Sequence, residues 1–401
     1  MMRPWTRRHT FLAALVCIGL LAAALLYGTR PVPDGRPQLL PVTFADIEGW
    51  ENDDHAEAFR TFHRSCGKII SVHHARVKAG KGDEKADPFI KVCRAALELG
   101  AAPGAEAAKA FFEARFSPHR YEGGITSGFV TGYYEPELKG SRARSDAYTV
   151  PVYRVPDDLE QFFPDAERAK RNAEMTAGRR EGERIVPYYD RREIEQGALE
   201  DRGLEILWLA DPVDAFYMHI QGSGRVALAE GGHVRLAYAA KNGHEYTAIG
   251  KALIERGEID ADNMSMGAVR AWLAANPDKA RDLMWRNRSY IFFRELRKDD
   301  GEAGPQGAQG VALTPHRSLA VDTSIHQVGI PVWVDVPQLD LHGEPYFRHL
   351  MVAQDTGSAI RGPERGDIFW GSGEDAGRIA GATRHDAQFT IFLPNESKPG
   401  S

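Results

Sequence analysis

The first apolar feature of the chain is the block from Phe11 to Tyr27, which contains no charged residue. Arg3, Arg7, Arg8 and His9 precede it, and Arg30 with several prolines follows. This is the pattern of an export signal or of a single membrane anchor. Its length stands at the lower limit for spanning a bilayer and is long for a cleaved apolar region. Residues 1–30 are therefore assigned to a signal or anchor, and the proline-rich residues 31–45 to a linker. Apolar positions then recur at helical spacing, at Ala56, Phe59, Phe62, Cys66 and Ile69-Ile70. The same period over 88–99 and 105–116 predicts three amphipathic helices in all.

At Gly124 the period changes. Residues 125–136 alternate β-branched and aromatic positions with glycines and predict a strand that bends at Gly132. Residues 140–186 are charge-rich and read as a solvated excursion after which the pattern resumes, with a strand at 148–153 inside it. A short helix is expected from Arg191 with Asp190 as its cap, then a strand at 206–209. Residues 215–226 read as strand, tight turn, strand. A strand at 234–239, an Asn242-Gly243 turn, a helix over 246–255 and a helix capped by Ser265 follow. After an aromatic strand at 287–294, residues 298–309 form a loop and a natural boundary. Six short strands then fall at 311–313, 319–321, 332–336, 347–353, 367–370 and 388–393, with a short helix at 376–380. Their density predicts a small barrel, and the fold class is mainly β with helices (α+β).

Composition narrows the function classes. The 401 residues suffice for two domains with sizeable cores. The formal net charge of −6 offers no basic excess for nucleic acid. No zinc-type Cys/His spacing and no phosphate-loop pattern is present, so neither metal nor cofactor is expected. Besides Cys17, the chain holds only Cys66 and Cys93. These fit either a disulfide in an oxidising compartment or two buried thiols on helices.

Three aspartates stand out in the C-terminal strands: Asp322, Asp355 and Asp367. A carboxylate among apolar neighbours needs hydrogen-bond partners or a chemical task. Tying down a turn is the simpler reading for each alone. Tyr133 and Tyr134 offer a pair of aromatic faces suited to pyranose rings. Gln221 and Ser223 flank a glycine where backbone can approach a ligand. Lys241 and Asn242 join them as candidate substrate contacts.

Six motifs in order resemble the membrane-bound lytic murein transglycosylase A family. They are Thr131-Gly132-Tyr133-Tyr134-Glu135-Pro136, Gln221-Gly222-Ser223-Gly224, the run Tyr238 to His244, Met264-Ser265-Met266, Tyr290 with Phe292-Phe293, and the three-aspartate C-terminal part. The resemblance covers roughly residues 45–394. It implies a double-psi β-barrel, related in fold to barwin, expansins and family 45 endoglucanases, made from 46–136 and 298–394. A second β-barrel domain, 137–297, is inserted between those halves, with a groove between the two. It also implies cleavage of the β-1,4 bond between N-acetylmuramic acid and N-acetylglucosamine, leaving a 1,6-anhydro ring. The catalytic aspartate falls on Asp367, with Asp355 and Asp322 supporting. The implied partners are peptidoglycan glycan strands and, if the N-terminal segment is retained, a membrane. The location is the bacterial periplasm and the protein is expected to be a monomer. Related members are lipoproteins, whereas Cys17 follows Leu15-Val16 and lacks the lipid-acceptor context.

A lytic transglycosylase can work with one carboxyl group, because the substrate's own C6 hydroxyl is the nucleophile; hydrolysing glycosidases use two. Asp367 must then be protonated near neutrality, which the apolar Ile368, Phe369 and Trp370 favour by desolvation. Two other readings remain at this point: a hydrolase using Asp355 or Asp322 as base, and a non-catalytic, expansin-like glycan binder.

Overall fold

The structure, a computed structural model, describes residues 38–80, 87–122, 128–162, 175–297, 304–339 and 346–395. The apolar block at 11–27 lies outside them. Among the described residues no helix is long and apolar enough to cross a membrane.

The three expected N-terminal helices form: α1 (His55–Lys78), α2 (Pro88–Leu99) and α3 (Ala105–Arg115). Asp54 caps α1 by accepting from the Glu57 N–H at 3.0 Å. Asp87 caps α2 through the Phe89 N–H, with Pro88 in the first turn where its missing N–H is harmless. Their apolar faces meet in a cluster built on Phe59, Phe62, Phe111 and Phe112, which continues onto Trp333, Leu350, Val352 and Phe392. Cys66 on α1 and Cys93 on α2, both without exposed surface, form a disulfide. Replacing both cysteines by alanine is expected to lower the unfolding free energy by ~3 kcal/mol. The check is a lower urea midpoint, with a somewhat steeper slope because the denatured chain without the cross-link exposes more surface.

Residues 38–41, placed by sequence in the linker, instead form an edge strand, β1 (Gln38–Pro41). It pairs antiparallel with β2 (Phe116–Glu122). Four residues ending in proline carry almost no strand signal, and an edge tolerates proline because only one side of the strand must bond. Next comes β3 (Gly128–Glu135).

The insert begins with β4 (Glu137–Ser141) and β5 (Val150–Tyr153). The predicted solvated excursion then folds in part, as a small sheet of β6 (Glu160–Gln161), β7 (Ala177–Glu181) and β8 (Arg184–Pro187). After α4 (Arg191–Glu193), capped by Asp190 as expected, come β9 (Glu205–Leu209) and α5 (Pro212–Gln221). Helix α5 corrects the strand predicted at 215–220. Asp211 accepts from the Val213 and Asp214 N–H groups, Pro212 sits in the first turn, and Gly222 closes the helix at φ 79°. These end signals outweigh the β-forming Phe216, Tyr217 and Ile220.

The strands β10 (Ser223–Leu228) and β11 (His233–Lys241) follow, then α6 (Ile249–Glu255), α7 (Met266–Ala275), the unanticipated α8 (Pro277–Met284), and β12 (Ile291–Glu295). The sheet order is β12-β11-β10-β4-β9-β5. It curls, so that Arg142 past β4 reaches the Ile206 carbonyl on β9 and the Glu295 carboxylate on β12.

The chain then returns to the first body with β13 (Ser318–Val321), β14 (Pro331–Val336), β15 (Phe347–Asp355), β16 (Arg365–Ser372), α9 (Gly373–Ala382) and β17 (Arg384–Pro394). The strand expected at 311–313 is reduced to a single bridge between Gln306 and Ala312. Six strands close on themselves in the order β3-β16-β13-β15-β14-β17, with β17 pairing back to β3. Two pairs, β13–β15 and β16–β3, are parallel. The ring wraps a core that includes Val130, Val332, Val334, Met351, Ile368 and Phe389. Both ends of the described chain thus build one barrel, and the insert leaves it at the end of β3.

Two buried contacts hold the insert to the barrel there. Glu135, without exposed surface, meets Arg235 of β11 at 2.7 Å and accepts from Ser372 Oγ at 2.6 Å. The Gln221 side-chain oxygen accepts from the Tyr134 N–H at 3.0 Å.

Candidate active site

The site grows out of strand register. Asp367 on β16 stands opposite Ala320 of β13 on one side and Thr131 of β3 on the other. A register slip between Leu319 and Ala320 puts Asp355, not Gln354, opposite Ala320. Asp355, Ala320, Asp367 and Thr131 therefore form one row across the sheet, and small Ala320 leaves room between the two carboxyl groups. Gly366 faces the other way. A Cβ there would come within 2.7 Å of the Phe389 ring, so only glycine lets β16 lie this close to the core.

Asp367 is partly exposed, and its Oδ1 accepts from Thr131 Oγ1 at 2.6 Å. Burial pushes its carboxyl up to about 6. The Thr131 hydroxyl and the Arg365 charge pull it back, and the neighbouring Asp355 charge pushes it further up. Among the described residues no protein group donates to its other oxygen, Oδ2.

Asp355 is fully engaged. Its Oδ1 accepts from the Ala308 and Thr356 N–H groups at 2.8 and 2.9 Å, and its Oδ2 from Tyr133 Oη at 2.9 Å. Burial raises its carboxyl too, opposed by those three donors. Asp322 is buried and is also committed. Oδ1 accepts from the Ser324 N–H and Oγ at 3.0 and 2.7 Å, and Oδ2 from the Gly362 N–H at 2.9 Å. Burial works against its ionisation, but these donors and Arg361 together hold the carboxyl below its ordinary value. Asp322 thus pins the loop between β15 and β16, which delivers Asp367.

The tyrosine platform does not form. Tyr133 and Tyr134 are consecutive in β3 and point to opposite sides. Tyr133 packs on Phe369 at 5.3 Å and donates to Asp355. Tyr134 enters the barrel core against Gly377. Both are nearly fully buried, so neither offers an open ring face. Tyr133 instead belongs to the carboxyl row.

The other sequence candidates sit at structural joints. Gln221 bonds the Tyr134 backbone, and Ser223 is buried in β10 opposite Ala237. Asn242 has no exposed surface. Its amide donates to the Tyr189 and Arg288 carbonyls, and its carbonyl accepts from the Tyr290 N–H. It holds the loop after β11. Lys241 is buried at the end of β11.

Three residues had no role assigned from sequence. Thr131 and Arg365 flank Asp367, and Tyr246 belongs to the loop that Asn242 anchors. Burial raises the Tyr246 phenol, Arg191 lowers it, and the Asp367 charge raises it again. The insert therefore reaches within electrostatic range of the barrel carboxyl. The usable signals were the two-residue spacings Arg365–Asp367 and Thr131–Tyr133, which place each pair on one strand face.

Residues 129–294 match the family model of the MltA specific insert domain, and residues 317–393 that of the 3D domain. The membrane-bound lytic murein transglycosylase A of Escherichia coli (strain K12) is 34% identical over 276 residues, which are 68% of this chain and 66% of that protein. The crystal structure of a membrane-bound lytic murein transglycosylase from Agrobacterium tumefaciens superposes with a TM-score of 0.76 at 38% identity, covering 89% of this chain and 98% of that one. E. coli MltA with bound chitohexaose superposes with a TM-score of 0.61 at 26% identity, covering 90% and 92%. With the Agrobacterium tumefaciens relative 38% identical and covered over 98% of its length, the chain belongs to the membrane-bound lytic murein transglycosylase A family.

Proposed function

We propose that this protein is a lytic transglycosylase of peptidoglycan that uses Asp367 as its single acid and then base. It acts on the β-1,4 bond between N-acetylmuramic acid and N-acetylglucosamine. The Asp367 proton passes to the glycosidic oxygen as the C1–O bond breaks. The C6 hydroxyl oxygen of the same muramic residue then bonds to C1, and its proton returns to Asp367. No water is consumed and a 1,6-anhydro end is left. The barrel segments carry the acid, and the 137–297 insert supplies the opposing wall for the glycan strand. The oligosaccharide held by E. coli MltA supports a sugar chain as ligand. The N-terminal apolar block supports export to the periplasm, with membrane attachment if that block is retained.

The observation that carries this reading is the contrast among the aspartates. Asp322 and Asp355 have both oxygens occupied by protein donors, whereas Asp367 combines an uncommitted oxygen with a carboxyl held at about 6. A hydrolase needs a second carboxylate to activate water, and the committed pair argues against that role. Mass analysis of sacculus digests tests the proposal. Anhydro-muramic ends are expected; reducing ends formed with uptake of water would replace it by the hydrolase.

A further inference from the structure

Arg365 and Thr131 stand beside the acid in an arrangement that has a direction. The Arg365 Nη2 lies 2.8 Å from Thr131 Oγ1, and Thr131 Oγ1 lies 2.6 Å from Asp367 Oδ1. A guanidinium has donors only. The threonine hydroxyl must therefore accept from Arg365, which leaves its own hydrogen for Asp367. Arg365 is itself held, by a bond from Nη1 to the Gly366 carbonyl and by its position 5.5 Å over the Phe129 ring. Thr131 is held by strand pairing directly opposite Asp367.

We propose that Arg365 and Thr131 are positioning residues that keep Asp367 Oδ1 as a permanent acceptor, so that both proton transfers of the reaction run through Oδ2. This rests on the reading of Asp367 as the acid. With Oδ1 occupied by a donated hydrogen, the carboxylic proton resides on Oδ2, the oxygen to which no group among the described residues donates. It leaves from Oδ2 to the glycosidic oxygen, and the C6 hydroxyl proton returns to the same atom. No rotation of the carboxyl group is needed between the two halves of the cycle. A lysine at 365 would lack the planar fork that reaches Gly366 and Thr131 together.

The charged and titratable groups facing Asp367 are Arg365 on its own strand, Asp355 on β15, Tyr133 on β3 and Tyr246 from the insert. The strand between the carboxyl groups, β13, contributes only Ala320 to the row. Of these groups, only Arg365 favours ionisation by charge, and Thr131 favours it by hydrogen bonding.

The test compares Thr131→Val, Thr131→Ser and Arg365→Met, reading soluble muropeptide release from purified sacculi against pH. In Thr131→Val the alkaline limb of kcat/KM is expected to move to higher pH. Its kcat should fall on the order of tenfold or more, within the range of acid–base effects, with KM little changed. Thr131→Ser should restore both, because it keeps the donor. Arg365→Met should also shift the limb upward, because it removes a nearby positive charge and frees the threonine hydroxyl to turn. Carbon-13 titration of the Asp367 carboxyl in the same variants reads the shift without relying on turnover. An unmoved limb and an unmoved carboxyl in folded Thr131→Val and Arg365→Met would overturn the proposal. If Thr131→Val does not fold, Arg365→Met decides by the same criterion. Full activity of Asp367→Asn would instead remove the underlying reading of the acid, a separate result.

Discussion

Asp367→Asn is expected to lower release of anhydro-muropeptides from sacculi by on the order of 10²–10⁴-fold while leaving the protein at least as stable as the wild type. The first half follows from the chemistry: the amide keeps the shape and the Thr131 bond but has no proton to give. The second half follows from linkage. The carboxyl titrates at about 6 in the fold, against an ordinary value of 3.8. A carboxyl raised in this way makes a contribution to stability that is fully present below pH 3.8 and is lost as pH rises through about 6. Ionised, it weighs against the fold by up to ~3 kcal/mol. The amide never ionises, so the variant should melt higher than wild type at pH 7.5, and the gap should shrink in acid. Catalytic sites commonly carry such destabilising groups. A variant that loses activity and also melts lower at pH 7.5 would mean that Asp367 holds the barrel together instead. Activity and melting temperature measured on the same preparation separate the outcomes.

Arg317→Ala carries the second large effect, on stability. Arg317 precedes β13 and is almost fully buried. Its Nη1 donates to both Asp53 oxygens at 2.8 Å and to the Leu350 carbonyl at 3.1 Å, and its Nε to Glu57 at 3.0 Å. The Asp53 side chain has no exposed surface and also bonds His349 Nδ1 and the Leu350 N–H. This network fastens the start of α1 to the barrel strand β15. Removing the guanidinium leaves a buried carboxylate with only His349 Nδ1 and the Leu350 N–H. Breaking one side of such a pair costs about 3–5 kcal/mol, a large share of the stability of most proteins.

The acid dependence has the opposite sign to that of Asp367. Burial opposes ionisation of Asp53, but His349, Arg317 and the Leu350 N–H together hold its carboxyl below 3.8. Its contribution is present above that unfolded value and is lost as pH falls through the folded one. Wild type should therefore lose stability at acid pH through Asp53, and Arg317→Ala should show a flatter acid limb. Urea denaturation of both proteins between pH 3 and pH 7 reads this. Parallel limbs would mean that Asp53 is held by His349 and the backbone without help from Arg317.

Much of the molecule was legible because the signals were local. The helices at the N-terminus follow from a 3.6-residue apolar period with Asp54 and Asp87 in capping positions. The barrel strands β13 to β17 were found at or near their places, since runs such as Val332 to Val336 alternate or bury throughout. Errors came where local preference competed with end signals or with pairing. At 215–220 aromatic residues read as strand, but Asp211-Pro212 and Gly222 enclose a helix. At 38–41 nothing local marks a strand, and only the β2 edge beside it makes one. The charged 140–186 segment hid β7 and β8, whose stability comes from pairing with each other and not from an apolar stripe.

The candidate site divides along the same line. From the sequence came the three aspartates, the Thr131–Pro136 motif through the family resemblance, and the expectation that apolar neighbours would raise the acid. Assigning separate tasks to the aspartates required knowing which donors surround each one, and the distant donors lie 40 to 236 positions away: Ala308 and Tyr133 for Asp355, Gly362 for Asp322, Thr131 for Asp367. The same holds for Tyr133 and Tyr134, which look equivalent in sequence and are sent to opposite faces by one strand. Sequence by itself determined the chain's periodicities, its caps and the set of groups able to do acid–base chemistry, because those depend on covalent neighbours. Tertiary structure decided which oxygen is free, which carboxyl is raised and which tyrosine joins the site, because desolvation and hydrogen bonding depend on atoms brought together by barrel closure.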